Sequence, residues 1–366
     1  MVIGFDAKRL FHNKSGLGAY SRSLVKFLVS HYPDNTYHLF TPPYKKNKST
    51  EFFEKNDKVL IHIIPRPFWL WRSILLPFLT KGFELSVFHG LSGELPWVLF
   101  PRKVKSVVTI HDVIFESHPE FYSFWNRWIY KVKTIRSIKN ADKIIAISRF
   151  TQSQVLEHFD SQKEIQIVSP PLNELYAAHK TRHLKESEFK ALYNLRNGYF
   201  LHVGSIGGRK NTDVLLKAFA NVPHKRKKKL VFISNESFDN VYATAKKYDV
   251  EDWIRVEKGV DDKTLSLYYS FCSVLVYPSI IEGFGLPILE GIAHGARVIC
   301  SDTLAHREAG GEMPVYFDSS DYKELSTLLS SLSYHERKSE KAALSHLNTF
   351  NPSIICGELM RIYAQT

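Results

Sequence analysis

Short apolar runs of strand type recur along the chain, and helical patterns fill the intervals between them. The first series occupies residues 2–5, 38–40, 60–64, 87–89, 106–110, 143–147 and 165–168, and a second series begins at Tyr199. Strands that alternate with helices predict a doubly wound parallel sheet. One such core stops growing near ~250 to 300 residues, so a chain of 366 residues has room for two. Pro170, Pro171 and Leu172 close the first series, and a charged, helix-leaning stretch follows. The expected organisation is α/β, with Rossmann-like domains at 1–172 and 197–349 and a linker at 173–196. No internal repeat or low-complexity segment interrupts it.

The run SVLVY at 273–277 leads into Glu282-Gly283-Phe284-Gly285-Leu286-Pro287 and then a helix-forming stretch that carries Glu290. Gly283 and Gly285 remove side chains, so backbone amides can approach a ligand, and the helix start beyond them favours negative charge or oxygen lone pairs. Pro287 suits a first helical turn. Glu290, beside Leu289, Ile292 and Ala293, falls on a partly apolar face where a carboxylate needs donors. Sugar hydroxyls would supply them, as water would on a solvated helix. A second loop follows the run YFLHV at 199–203: Gly204-Ser205-Ile206-Gly207-Gly208-Arg209-Lys210-Asn211. Arg209 can fork two hydrogen bonds onto phosphate and Lys210 adds a point charge, so a diphosphate could be neutralised without a metal. The loop also reads as a turn with Asn211 or Thr212 capping the next helix, and the two roles are compatible.

Glu282 and Glu290, with seven residues between them, resemble the paired-glutamate motif of the retaining GT-B glycosyltransferases of family four, the glycosyl transferases group 1. The glycine loop before Arg209 and Lys210 occurs in the order that family shows. The resemblance implies a GT-B fold, with two Rossmann-like domains facing a cleft and a terminal helix at about 350–366 returning onto the first. It further implies that Glu282 reaches hydroxyls of the donor sugar and that Gly283, Phe284, Gly285 and Leu286 lie beside sugar and phosphate. Gly204, Arg209 and Lys210 would face the departing diphosphate, and Glu290 would hold the nucleotide ribose.

In the N-terminal half, Gly16-Leu17-Gly18 resembles the family's acceptor-side glycine loop, with Ala19 where the family carries an arginine. It is not a dinucleotide fingerprint, because Ser21 takes the third glycine position and a loop from 7 to 15 is too long for the tight turn required. Thr109-Ile110-His111-Asp112 ends the run at 106–110, where open α/β sheets place ligands. The resemblance sets His111 and Asp112 against the donor sugar, and sets Ser148 and Arg149 along the cleft. Phe5-Asp6-Ala7-Lys8-Arg9, followed by Gly16-Leu17-Gly18, is similar to the mannosyltransferase-like branch that builds bacterial surface polysaccharides. GDP-mannose is therefore the expected donor.

Residues 1–172 contain 24 Lys and Arg against 14 Asp and Glu, so +10 of the net +12 lies in the N-terminal half. That balance suits a lipid-linked acceptor or the anionic inner face of a membrane, with Phe68, Trp69 and Trp71 beside Arg66 and Arg72 as an interfacial patch. The same aromatics read equally well as core. The run HKRKKK at 224–229 reads as a solvated loop, and no nucleic-acid motif accompanies it. The chain opens on a strand with no apolar leader, and its most apolar stretch, 68–79, falls short of the ~20 residues that span a bilayer. Cys272, Cys300 and Cys356 show no metal spacing and read as buried reduced thiols. A cytoplasmic protein, soluble or peripheral on the membrane's inner face, is expected. No Asp-x-Asp follows a strand in the nucleotide region, and Asp261-Asp262 reads as a helix cap, so neither metal nor cofactor is expected.

The sequence thus predicts retaining transfer of a hexose from a nucleotide sugar to a saccharide or lipid-linked saccharide, in lipopolysaccharide or capsule synthesis. His111, Arg209, Lys210 and Glu282 are the catalytic candidates. A UDP-sugar donor, a sugar-nucleotide epimerase and a non-catalytic binding subunit are the alternatives.

Overall fold

The computed structural model describes all residues except 14–15, 65–70, 99, 102, 174–183, 332–338 and 366, and only the backbone of 71 and 73. They form two compact units, residues 1–171 with 350–366 and residues 172–349.

The first unit holds a parallel sheet of β1 (Val2–Asp6), β2 (Thr36–Thr41), β3 (Val59–Ile63), β4 (Val87–Gly90), β5 (Lys105–Ile110), β6 (Lys143–Ala146) and β7 (Ile165–Ile167). Its order is β3-β2-β1-β4-β5-β6-β7. The chain builds outward from β1 to β3 and then crosses back to lay β4 on the other side of β1. That reversal opens a crevice beyond the carboxyl ends of β1 and β4. Most inner-strand residues are buried, which is why these strands read as continuous apolar runs.

Helix Pro352–Ala364 belongs to this unit, and Ile355, Cys356, Leu359, Ile362 and Tyr363 are buried in one cluster with Leu24, Phe27 and Leu28 of helix Gly16–His31. Their spacing of three and four puts them on one face. Tyr363 also reaches His89 at the end of β4, with Oη 2.6 Å from Nδ1, while His89 Nε2 lies 2.8 Å from Thr109 Oγ1. Burial, then neighbouring His111, pulls the His89 pKa from 6.5 down to about 3, and burial is the main cause that brings His38 and His202 to about 4. These rings stay neutral in the fold and take protons when unfolded. Their stabilisation is complete above the unfolded pKa of about 6.5 and is lost as pH falls toward the folded values. The melting temperature is therefore expected to hold level from about pH 8 to 7 and to drop steeply below about pH 6.5. A thermal melt that stays level down to about pH 5 contradicts this assignment.

Two expectations for the first unit are corrected. Residues 7–15 are not one long loop: Lys8–His12 is a short helix whose Leu10 and Phe11 are buried. Arg22 makes it possible by donating Nη1 to the carbonyls of Leu10 at 2.9 Å and Asn13 at 2.8 Å, which the helix end leaves unsatisfied. Gly16 and Gly18 are accordingly not in a loop but in the first turn of helix Gly16–His31. A Cβ on Gly18 would stand 1.9 Å from the Asn13 carbonyl oxygen, so close backbone approach demands glycine there. At Gly16 a Cβ would meet nothing.

The second unit repeats the plan with β8 (Tyr199–Val203), β9 (Lys229–Ile233), β10 (Ile254–Glu257), β11 (Val274–Tyr277), β12 (Val298–Ser301) and β13 (Val315–Phe317), ordered β10-β9-β8-β11-β12-β13. The reversal now lies between β8 and β11. Within 173–196, Glu186–Leu192 is a helix packed on this unit through Phe189, whose ring lies 5.0 Å from that of Tyr268. All three cysteines are buried and free of disulfides. Among the described residues no helix is long and apolar enough to cross a membrane.

Candidate functional site

In the second unit, two loops leave the carboxyl ends of β8 and β11 side by side at the strand reversal. The first turns through Gly204 (φ 133°), Gly207 (φ 92°), Gly208 (φ 30°) and Asn211 (φ 57°). Side chains with a Cβ adopt such angles at a cost, which accounts for the glycines. Asn211 takes the N-cap position of the following helix, but its side chain makes no capping hydrogen bond. Its Nδ2 donates instead to the carbonyls of Pro278 at 3.1 Å and Ser319 at 2.7 Å, tying the loop to the ends of β11 and β13. The second loop passes Glu282 and Gly283, turns at Gly285 (φ 126°) and enters helix Leu286–Ala293 with Pro287 in its first turn. A backbone hydrogen bond of 2.8 Å from Ile280 N–H to the Arg209 carbonyl joins the two loops.

Between them stands an ion triad. Glu282 Oε2 is 2.7 Å from Arg209 Nη1, and Oε1 is 2.6 Å from Lys210 Nζ. Lys210 is 8% exposed, Glu282 12% and Arg209 30%, so the triad is buried at one end and open at the guanidinium. Lys210 Nζ also donates to Tyr277 Oη at 2.8 Å. Burial raises the Glu282 pKa, but the fields of Lys210 and Arg209 outweigh it and hold the group at about 2. For Lys210 burial favours the neutral amine, and Glu282 reverses that, leaving its pKa above the ordinary value. Two cations against one carboxylate give the loops a surplus positive charge, the electrostatics an anionic oxygen cluster requires.

Glu290 lies half-buried on helix Leu286–Ala293, and Tyr269 Oη donates to its Oε2 at 2.7 Å. Buried His306 sits beneath the Gly285 turn: a Cβ on Gly285 would come within 3.3 Å of its ring. Gly204, Arg209, Lys210, Glu282, Gly283, Phe284, Gly285 and Leu286 thus converge on one edge of the sheet, with Glu290 on the helix that follows. Sequence reasoning missed Tyr269, Tyr277 and His306. Tyr277 is the last residue of β11 and could have been found from its place before the loop, whereas no local pattern marks the other two.

In the first unit His111 directly follows β5. Its Nε2 lies 2.8 Å from the Leu91 carbonyl, which can only accept, so Nε2 carries the proton and Nδ1 is the remaining basic nitrogen. Burial chiefly lowers its pKa to about 4, so the ring is neutral near pH 7. Tyr20, from the helix that begins at Gly16, meets it edge-on with centroids 4.6 Å apart. Asp112 Oδ1 accepts from Ile114 N–H at 3.3 Å. Ser148 caps helix Arg149–His158, accepting from Thr151 N–H at 2.9 Å, and Thr151 Oγ1 donates to the His111 carbonyl at 2.9 Å. Arg149 is exposed at the start of that helix.

The patch expected at 66–72 is corrected at Arg72. Its side chain is 11% exposed and ion-paired, Nε to Asp6 Oδ2 at 2.7 Å and Nη1 to Glu94 Oε2 at 2.9 Å. A guanidinium takes this position because Asp6 ends β1 and Glu94 follows β4, two carboxylates that meet at the crevice. Arg66, Phe68, Trp69 and the Trp71 side chain lie outside the described residues. Among the described residues no group of three or more His, Cys, Asp or Glu side chains could hold a metal ion, while Asp261 caps its helix, accepting from Thr264 N–H at 2.8 Å.

Comparison with known proteins gives the family. Residues 14–174 match the model of "Glycosyltransferase Family 4" and residues 185–343 that of "Glycosyl transferases group 1". The chain is 27% identical over 349 residues to O-antigen chain mannosyltransferase B of Escherichia coli, covering 89% of each. It is 25% identical to the serotype-specific mannosyltransferase WbdA of Escherichia coli over 66% of its own length, but spans only 31% of that protein. Among solved structures, Anabaena HepE in complex with UDP and glucose superposes with a TM-score of 0.76 at 13% identity, covering both chains in full, which is a likeness of fold.

Proposed function

Since this chain belongs to the family four GT-B glycosyltransferases, on their mannosyltransferase-like branch, we propose that it transfers mannose from GDP-mannose with retention at the anomeric carbon and without a metal. The acceptor is a saccharide or lipid-linked saccharide of lipopolysaccharide or capsule, met at the inner face of the cell membrane. The ion triad at the ends of β8 and β11 carries the reading. A diphosphate brings oxygen acceptors for both cations, and it releases Glu282 from them. Glu282 and the amides of Gly283–Gly285 then orient the sugar hydroxyls, and Glu290, held by Tyr269, takes the ribose.

The anomeric C–O bond to phosphate breaks as the acceptor oxygen adds on the same face. The departing phosphate oxygen takes the acceptor proton, so a nucleoside diphosphate leaves. Arg209 and Lys210 stabilise the charge that develops on it. His111, neutral at working pH, contributes a hydrogen bond rather than an ionic contact. The names of the mannosyltransferase relatives support mannose as the sugar; the UDP and glucose bound to HepE favour a UDP-sugar as the second reading.

A thermal-shift and donor-hydrolysis panel of GDP-mannose, UDP-glucose, UDP-galactose and their N-acetyl forms tests this. GDP-mannose and GDP are expected to protect, at about 100 times their dissociation constant, by roughly 3 kcal/mol, a shift of several degrees. Equal protection by GDP and UDP removes the mannose preference, and no shift with any nucleotide counts against a transferase.

A further inference from the structure

Helix Phe124–Asn140 turns its amphipathicity inside out. Its buried residues are Thr134, Ser137 and Ile138, whereas Phe124 is 72% exposed, Trp125 71% and Trp128 55%, with Ile129 and Ile135 also exposed. Spacings of three, four and seven put these apolar side chains along one stripe. The helix is well specified: Ser123 caps its start, Ser137 Oγ accepts from Leu95 N–H at 2.9 Å, and Lys163 Nζ donates to the carbonyls of Ile138, Lys139 and Ala141 at its end. A contiguous exposed patch of this kind marks an interaction surface.

Its charge identifies the partner. The 17 residues contain five cations, Arg127, Lys131, Lys133, Arg136 and Lys139, and no Asp or Glu. Glu116 and Glu94 pair with three of them from neighbouring elements, Lys131 at 2.8 Å, Arg127 at 3.5 Å and Lys133 at 3.3 Å. Arg136 stacks over the exposed Trp97 ring at 4.2 Å, and Lys139 is exposed. Tryptophan and phenylalanine flanked by lysine and arginine, without acidic residues, are the composition of a helix lying in a bilayer interface. A second copy docked on the same face would bring two surfaces of surplus positive charge together, five cations against two carboxylates on each.

We propose that this face seats the protein on an anionic phospholipid surface, with Phe124, Trp125 and Trp128 in the headgroup layer. The assignment gives the membrane contact of the proposed reaction a specific surface, and it holds for this helix whichever donor the enzyme uses. The full chain is sedimented with vesicles of phosphatidylcholine alone and of phosphatidylcholine mixed equally with phosphatidylglycerol. Wild type is expected to bind the anionic vesicles at least about tenfold more tightly than the neutral ones, and Trp125→Ser/Trp128→Ser to lose about tenfold or more. The variant keeps its melting temperature and its GDP-induced shift, which separates failure of this proposal from failure of the donor reading. Indifference to lipid charge, or undiminished binding by the variant, overturns the proposal. A wild-type dimer that the variant dissolves, with no vesicle binding, assigns the face to a second copy and overturns it too.

Discussion

Lys210→Ala is expected to lower kcat/KM for sugar transfer by about 10³-fold, the scale set by removing one preorganised partner of a developing anion. The loss falls on kcat, because the charge on the leaving diphosphate is greatest in the transition state. The same substitution destabilises the second unit. Glu282 is 12% exposed and loses one of its two ion partners among the described residues, keeping Arg209, itself 30% exposed, so part of the roughly 3–5 kcal/mol typical of a broken buried pair is expected, reduced by the water around the guanidinium. The two effects separate in the double variant Lys210→Ala/Glu282→Gln. Without the stranded carboxylate the melting temperature recovers toward wild type, whereas transfer stays lost. Recovery of transfer in the double variant means that Lys210 serves only to hold Glu282.

Glu290→Ala is expected to weaken nucleoside diphosphate binding by about 10- to 100-fold, the range for a hydrogen bond to a charged group. Tyr269→Phe removes the donor 2.7 Å from its carboxylate and is expected to cost about tenfold or less. Because this carboxylate faces ribose in the proposed mode, both variants weaken guanosine and GDP alike, while Lys210→Ala weakens GDP only. Isothermal titration of each variant with each ligand reads that pattern directly. A Glu290→Ala protein that binds GDP as wild type does removes the ribose role.

Much of this architecture is legible in the chain because parallel strands buried on both faces leave unbroken apolar runs. The reading from 106 to 110 meets β5 at Lys105–Ile110, since a charged first residue breaks the pattern without breaking the ladder. The loops are legible for another reason: Gly207 and Gly285 occupy backbone angles that only glycine takes freely. The partners of the site are not legible. Lys210 meets Tyr277 across 67 residues and Glu290 meets Tyr269 across 21, contacts set by strand register and helix packing. Helix Lys8–His12 has no side-chain cap to announce it and depends on Arg22, nearly two turns into the next helix. The position of Arg72 is equally hidden from the sequence, because the distant carboxylates Asp6 and Glu94 draw it inward. Among the described residues, helix Phe124–Asn140 carries two exposed tryptophans, Trp125 and Trp128.

The central claim is that Arg209, Lys210 and Glu282 form a diphosphate site. Its most direct test is to titrate wild type and Lys210→Ala with GDP and with guanosine. The account predicts that wild type binds GDP at least about 100-fold more tightly than guanosine, the worth of two charge-assisted contacts, and that Lys210→Ala loses most of that difference. Equal affinity of wild type for GDP and guanosine, with UDP and uridine likewise alike, would contradict it.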